Sequence, residues 1–199
     1  MRVGGYFASG SIVLPARVQE AVDRASRVGF AMSSDPEVGQ LLAVLAASTP
    51  RNGRILELGT GCGVGLAWIT YGLGARVDVD VVSVERDRDV AALTRDAEWP
   101  AFVNIIVGDA VGLLGGLGGF DLIFADSEGG KWDGLEVTLA ALRPGGHIIV
   151  DDMLPPEWQS STHRIKTIEA RVRLTTDPSL VAVELAWATG VILCTKRHS

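Results

Sequence analysis

The feature that most restricts what this chain can fold into is a rhythm that begins after the breaker Thr49-Pro50-Arg51-Asn52-Gly53. Short, almost wholly apolar runs then alternate with stretches of helical character. The runs are ILEL at 55–58, VDVVSVE at 79–85, FVNIIVG at 102–108, FDLIFAD at 120–126 and HIIVDD at 147–152. A strand with one wet face alternates apolar and polar residues, whereas a continuously apolar strand is covered on both faces, as in a parallel sheet. Helices between such strands supply the cover, so the pattern reads as a doubly wound α/β fold. The end of the chain breaks this rhythm. SLVAVELAW at 179–187 and VILCTK at 191–196 are separated only by Ala188-Thr189-Gly190, which leaves no room for a crossover helix. These two runs must form an antiparallel hairpin. The expectation is a mostly parallel, Rossmann-like sheet of seven strands, closed by a C-terminal antiparallel hairpin.

Upstream of the rhythm the sequence predicts two helices, from about Pro15 to Arg27 and from about Asp35 to Ala47. Ser34-Asp35-Pro36 supplies a cap and a proline in the first turn of the second. A length of 199 residues suits one domain. Residues 1–199 therefore read as a single domain whose first 50 or so residues form a helical extension.

Composition narrows the class of function. The formal net charge is −6, against the basic excess of a general phosphate-backbone binder, so nucleic acid is a disfavoured partner. The two cysteines, Cys62 and Cys194, lie far apart and lack metal-ligand spacing, which suits reduced thiols. The N-terminus is broken by Gly4, Gly5, Ser9, Gly10 and Ser11, too interrupted for a signal peptide, and no run is long enough to span a bilayer. The expected setting is cytoplasmic, away from membranes.

Ile55-Leu56-Glu57-Leu58-Gly59-Thr60-Gly61-Cys62-Gly63-Val64-Gly65 ends a strand and opens a helix. Glycines there permit a tight turn and let a ligand approach the backbone. A dinucleotide fingerprint needs Gly-x-Gly-x-x-Gly, but Val64 or Leu66 falls in the last position, depending on the starting glycine. A Gly-Lys-Ser/Thr ending is absent as well, which removes the nucleoside triphosphate loop. Further on, Asp126 ends one strand and Asp151 and Asp152 end the next. If those strands are neighbours, about 5 Å apart, the three carboxylates crowd together. Such crowding costs several kcal/mol unless a cation neutralises them or one takes up a proton. Asp151 and Asp152 point to opposite faces while the strand stays extended, so they act together only if it turns there.

The glycine loop matches Glu-x-Gly-x-Gly-x-Gly, and through it the chain resembles the class I S-adenosylmethionine-dependent methyltransferases. That resemblance implies a cofactor site of Glu57, Gly59, Thr60, Gly61, Gly63, Glu85, Arg86, Asp109, Ala110 and Asp126. Glu57 would organise the methionine end, Glu85 would accept the ribose hydroxyls, and Asp109 would lie near the adenine amino group. The aspartates, together with Met32–Leu42, make the chain similar to the catechol-type, divalent-metal-dependent O-methyltransferases. This implies that Asp126, Asp151 and Asp152 hold Mg²⁺, or Ca²⁺ or Mn²⁺, and that a small-molecule hydroxyl, aromatic in that family, accepts the methyl group. Several residues depart from the family pattern. Asp152 replaces an asparagine, Gly129 stands where the family places a catalytic lysine, Val64-Gly65 replaces Tyr-Ser, and Arg86 replaces an apolar residue. Lys131 is the nearest substitute for the lysine and, with Asp126, the catalytic candidate. It also reads as a solvated surface lysine.

Trp132 and Trp158 follow the carboxylate strands, and each reads equally as a wall for an aromatic substrate or as a core residue. His147 begins a strand at the remote end, and neither His163 nor His198 has a recognisable partner. A metal-independent methyltransferase acting on nitrogen or on a macromolecule remains an alternative, as does a cofactor-binding protein without turnover. A homodimer is also left open.

Overall fold

The structure, a computed structural model, describes residues 12–154 and 160–198. Its centre is a seven-stranded sheet of order β3-β2-β1-β4-β5-β7-β6. The strands are β1 (Arg54–Leu58), β2 (Asp80–Glu85), β3 (Val103–Val107), β4 (Phe120–Ala125), β5 (Leu142–Val150), β6 (Leu180–Leu185) and β7 (Val191–Lys196). The first five are parallel neighbours, and β7 runs antiparallel to both β5 and β6. The expected hairpin is therefore present, with β7 inserted between β5 and the edge strand β6.

Helices α1 (Ala16–Val28), α2 (Pro36–Ser48) and α3 (Val64–Leu73) cover one face of the sheet. On the other face lie α5 (Ala110–Leu117), α7 (Leu135–Ala141) and α8 (Ser161–Thr176). Two short helices, α4 (Arg88–Arg95) and the single kinked turn α6 (Glu128–Lys131), complete the set. Alternation along each strand sorts residues between two cores: Ile55, Val81, Leu122, Phe124 and Ile149 join the first, and Leu56, Val82, Ile123 and Val150 the second. Both faces are covered, which is why these strands read as unbroken apolar runs. Leu58 lies in the second core, so Glu57 is turned into the first, a position of consequence for the site. The N-terminal helices belong to this first core through Val18, Ala21, Val38 and Leu42.

Two elements differ from the sequence reading. Strand β5 starts at Leu142, five residues before His147, because a register shift opposite Phe120–Leu122 lets Leu142-Arg143-Pro144-Gly145-Gly146 run on in extended form. Helix α5 is also new. Its Gly112, Gly115 and Gly116 make it a poor helix former, and it is started by Asp109, whose carboxylate accepts from the Gly112 N–H at 2.8 Å. No helix among the described residues is long and apolar enough to cross a membrane.

Candidate active site

The order of the strands reverses beside β1, and the loop from β1 into α3 sits at that switch point, where open α/β sheets place their ligand crevice. Gly59, Gly61 and Gly63 all take positive φ, of 101°, 52° and 84°. A side chain at Gly59 would lie 2.7 Å from the Asp126 carbonyl oxygen, so the loop also packs backbone to backbone on the end of β4. Its donors are largely committed. Gly59 and Thr60 N–H both donate to the Val84 carbonyl, and Gly61 N–H donates to Glu85 Oε2 at 2.9 Å.

Glu57 lies beneath the loop and is completely buried. Its Oε2 accepts from Ser83 Oγ at 2.5 Å, and Ser83 Oγ in turn meets Thr60 Oγ1 at 2.6 Å. Its Oε1 has no hydrogen-bond partner among the described residues and faces Gly65, where a side chain would come within 2.3 Å. Burial pushes the carboxyl up to about 8, helped by the charges of Asp126 and Glu85 and opposed by the Ser83 bond. Glu57 thus props the loop from below, and Thr60 is its partner through Ser83.

Glu85 closes β2, half-buried, with Oε1 accepting from the Asp87 N–H at 2.9 Å and Oε2 bound to Gly61. Asp109 is exposed and, as noted, caps α5, while Ala110 is buried behind it. Arg86 is exposed. These residues line the carboxyl ends of β2 and β3, on the side of the loop away from the aspartates of β4 and β5.

The aspartates do come together, but around a lysine. Strand β5 ends at Val150 and Asp152 adopts φ 58°, so the chain does turn as the pairing of Asp151 with Asp152 requires. Lys131 is 3% exposed; its Nζ lies 2.9 Å from Asp152 Oδ2 and 4.0 Å from Asp126 Oδ1. It is the buried counter-charge of the cluster, and the reading of it as a solvated surface residue is corrected. The kink at Gly129 and Gly130, with φ 92° at Gly130, folds the chain back and delivers it there. Asp151 is also buried, its Oδ1 accepting from Thr189 Oγ1 at 2.5 Å and from the Asp152 N–H at 2.7 Å. Burial pushes its carboxyl up to about 6 and raises that of Asp126 well above the carboxylate range, Lys131 acting in the opposite sense on both. No group of three His, Cys, Asp or Glu side chains among the described residues is arranged to hold a metal ion. Of the three aspartates expected to form one centre, Asp126 and Asp152 have the Lys131 ammonium between them and Asp151 is turned to Thr189.

A methyltransferase-domain family model matches residues 56–153, which span the glycine loop and all three aspartates. A protein of Mycobacterium sp. (strain JLS), named as a candidate O-methyltransferase, is 33% identical over 149 residues, covering 72% of this chain and 67% of that protein. The chain belongs to the O-methyltransferase family. A solved structure described as a candidate O-methyltransferase from Klebsiella pneumoniae is 27% identical with a TM-score of 0.78, covering 94% of this chain and 93% of that one. The O-methyltransferase TomG of Streptomyces achromogenes, solved in complex with S-adenosylmethionine, shares the fold at 21% identity with a TM-score of 0.79, covering 97% and 95% of the two chains.

In this methyltransferase the structure adds Phe30, which sequence reasoning passed over, and contacts of Ser34, Trp132 and His163 that it did not foresee. Ser34 Oγ donates to Asp126 Oδ2 at 3.1 Å, so the start of α2 reaches the aspartates. The Phe30 ring stands 3.1 Å from where a side chain on Gly61 would be. Trp132 lies partly in the second core and also 5.0 Å from Lys131 Nζ, and the His163 ring stands edge-on to it at 4.2 Å. His163 Nε2 is buried without a hydrogen-bond partner among the described residues. Only Ser34 carried a local signal, its place before Asp35-Pro36; the rest are long-range contacts. His147 bonds Thr195 through Nδ1 at 2.8 Å, and His198 stands over Gly145, both at the remote end of the sheet. Cys62 and Cys194 are free and buried. Trp158 lies outside the described residues.

Proposed function

We propose that the methyl donor is S-adenosylmethionine and that the acceptor is the hydroxyl of a small, aromatic molecule. The carrying observation is the commitment of the Gly61 N–H to Glu85. A pyrophosphate site offers its loop N–H groups and a helix N-terminus to anionic oxygens. Here the corresponding N–H is already taken by a carboxylate, and the exposed Asp109 at the end of β3 adds negative charge. That setting repels a dinucleotide and suits a nucleoside bearing a cationic centre. The two glutamate oxygens keep lone pairs free for ribose hydroxyls. The complex of the similarly folded TomG with S-adenosylmethionine supports the same reading.

When bound, S-adenosylmethionine presents a sulfonium methyl for in-line displacement by an oxygen nucleophile. The fold's contribution is to bring the two groups into line, which can account for much of the rate. Lys131, as an ammonium, has no lone pair to give and acts as a donor that holds the acceptor oxygen. Asp126, its ionised form favoured by the Lys131 ammonium 4.0 Å away, takes the hydroxyl proton as the carbon–oxygen bond forms. Trp132, beside Lys131, offers a flat apolar face to an aromatic acceptor. In this structure the charge beside Asp126 and Asp152 is supplied by Lys131.

Calorimetry tests the donor. The protein binds S-adenosylmethionine and its demethylated product but not NAD. Glu85→Ala weakens binding by about 1.5–3 kcal/mol, the range for a hydrogen bond to a charged group. Binding of NAD in preference to S-adenosylmethionine would overturn the reading.

A further inference from the structure

We propose that Lys131 is a built-in cation occupying the place a divalent metal would take between Asp126 and Asp152, so that this site works without a metal ion. Removing its charge then turns the aspartates into a metal site. The inference deepens the proposed reaction at its acceptor end, and rests on that reading only for what the cation is used for.

Three observations carry it. First, a lysine as buried as Lys131 must be paired, and its partners are two of the carboxylates that the family resemblance assigns to a metal. Second, its backbone is shaped to put it there. Gly130 holds φ 92° with its N–H donating to the Asp133 carbonyl at 2.8 Å, and its carbonyl accepts from Thr138 Oγ1 at 2.9 Å. The kink replaces the helical continuation that would carry Lys131 elsewhere, and it uses the very position, Gly129, where the family places its lysine. Third, the Trp132 ring 5.0 Å from Nζ gives the ammonium a further favourable contact, as rings do for cations.

A divalent ion and an ammonium cannot share this space, because both would be held by the same oxygens and would repel at short range. With the lysine charge gone, Asp126 Oδ1 and Asp152 Oδ2 lose their counter-ion while Asp151 stays close by. Crowded carboxylates of this kind are the hard oxygen donors that Mn²⁺, Mg²⁺ and Ca²⁺ take.

The test is titration with Mn²⁺ alone, free ion being read by electron paramagnetic resonance, on the wild type, Lys131→Ala and Lys131→Met. No donor or acceptor is needed. The wild type is expected to bind Mn²⁺ no more tightly than the millimolar range. The two variants bind it at least about tenfold more tightly, since affinity follows the uncompensated ligand charge, and Asp126→Asn placed in Lys131→Ala cancels the gain. Micromolar binding by the wild type that Asp126→Asn or Asp152→Asn abolishes would overturn the proposal, as would folded variants that gain nothing. Thermal melts show whether the variants fold. If neither does, the wild-type titration decides alone: weak binding upholds the proposal and tight binding refutes it. Failure of S-adenosylmethionine to bind in calorimetry would overturn the functional reading and leave the Mn²⁺ result standing, so the two failures are distinguishable.

Discussion

Glu57 shows how a single residue changes meaning between sequence and fold. In the motif it is an acid two positions before a glycine loop; in the structure it is an acid with no access to solvent. Its carboxyl titrates near 4.5 when the chain is unfolded and near 8 when folded. The folded state therefore holds the proton more tightly. The stability it contributes is fully present below pH 4.5 and is lost as pH rises through about 8. The wild type should lose on the order of 2–4 kcal/mol between pH 5 and pH 9 from this group. Glu57→Gln keeps an acceptor for Ser83 and has no proton to lose, so its profile should be flatter by that amount. Urea unfolding across the pH range measures both. A slope unchanged by the substitution would mean that Glu57 stays ionised beneath the loop.

At the scale of elements, the turn after β4 decides what the site contains. Gly130 combines φ 92° with a packed neighbour: a side chain there would lie 2.4 Å from Leu58 Cδ1, in the second core. Gly130→Ala carries both the left-handed penalty and an overpacking cost, together about 2–4 kcal/mol. Gly129, one residue earlier, has φ −71° and nothing closer than 3.8 Å, so Gly129→Ala should fall within about 0.5 kcal/mol of the wild type. Paired denaturation curves check the contrast. Equal losses at the two positions would show that the kink does not depend on Gly130. The β6–β7 hairpin acts on the site in a similar way from the other side. Met153 and Leu154 N–H donate to the Gly190 and Thr189 carbonyls, which brings Thr189 Oγ1 onto Asp151.

For the whole molecule, the crevice lies at the switch point between the two halves of the sheet, so the proposed donor would bind the folded chain only. A ligand that binds only the folded state stabilises it by about 2.7 kcal/mol at a hundred times its Kd. For a chain of this size that raises Tm by roughly 5–10 °C. S-adenosylmethionine should produce this shift and NAD should not, as differential scanning fluorimetry would show. The absence of any shift at saturating S-adenosylmethionine would count against the proposed donor.

The strands, their order of appearance, the terminal hairpin and the glycine loop were legible in the sequence because each depends on local chemistry. Two-faced burial removes polar alternation, three residues cannot make a crossover, and glycine alone tolerates the φ values of the loop. The same locality explains what stayed hidden. Helix α5 rests on a cap that outweighs poor propensity, and the early start of β5 rests on pairing with β4. The burial of Glu57 follows from which face of β1 meets α3. The aspartates could be brought together on paper, since their strands are neighbours and each lies at a strand end. That Lys131 would lie between them could not, because its position depends on a kink whose φ values are settled by Asp133 and Thr138 and whose outcome is a contact 21 residues distant in sequence. Sequence determined where the carboxylates stand along the chain. Only the tertiary structure decided which cation faces them, because a buried ion pair is made by whatever charge the packing brings within reach.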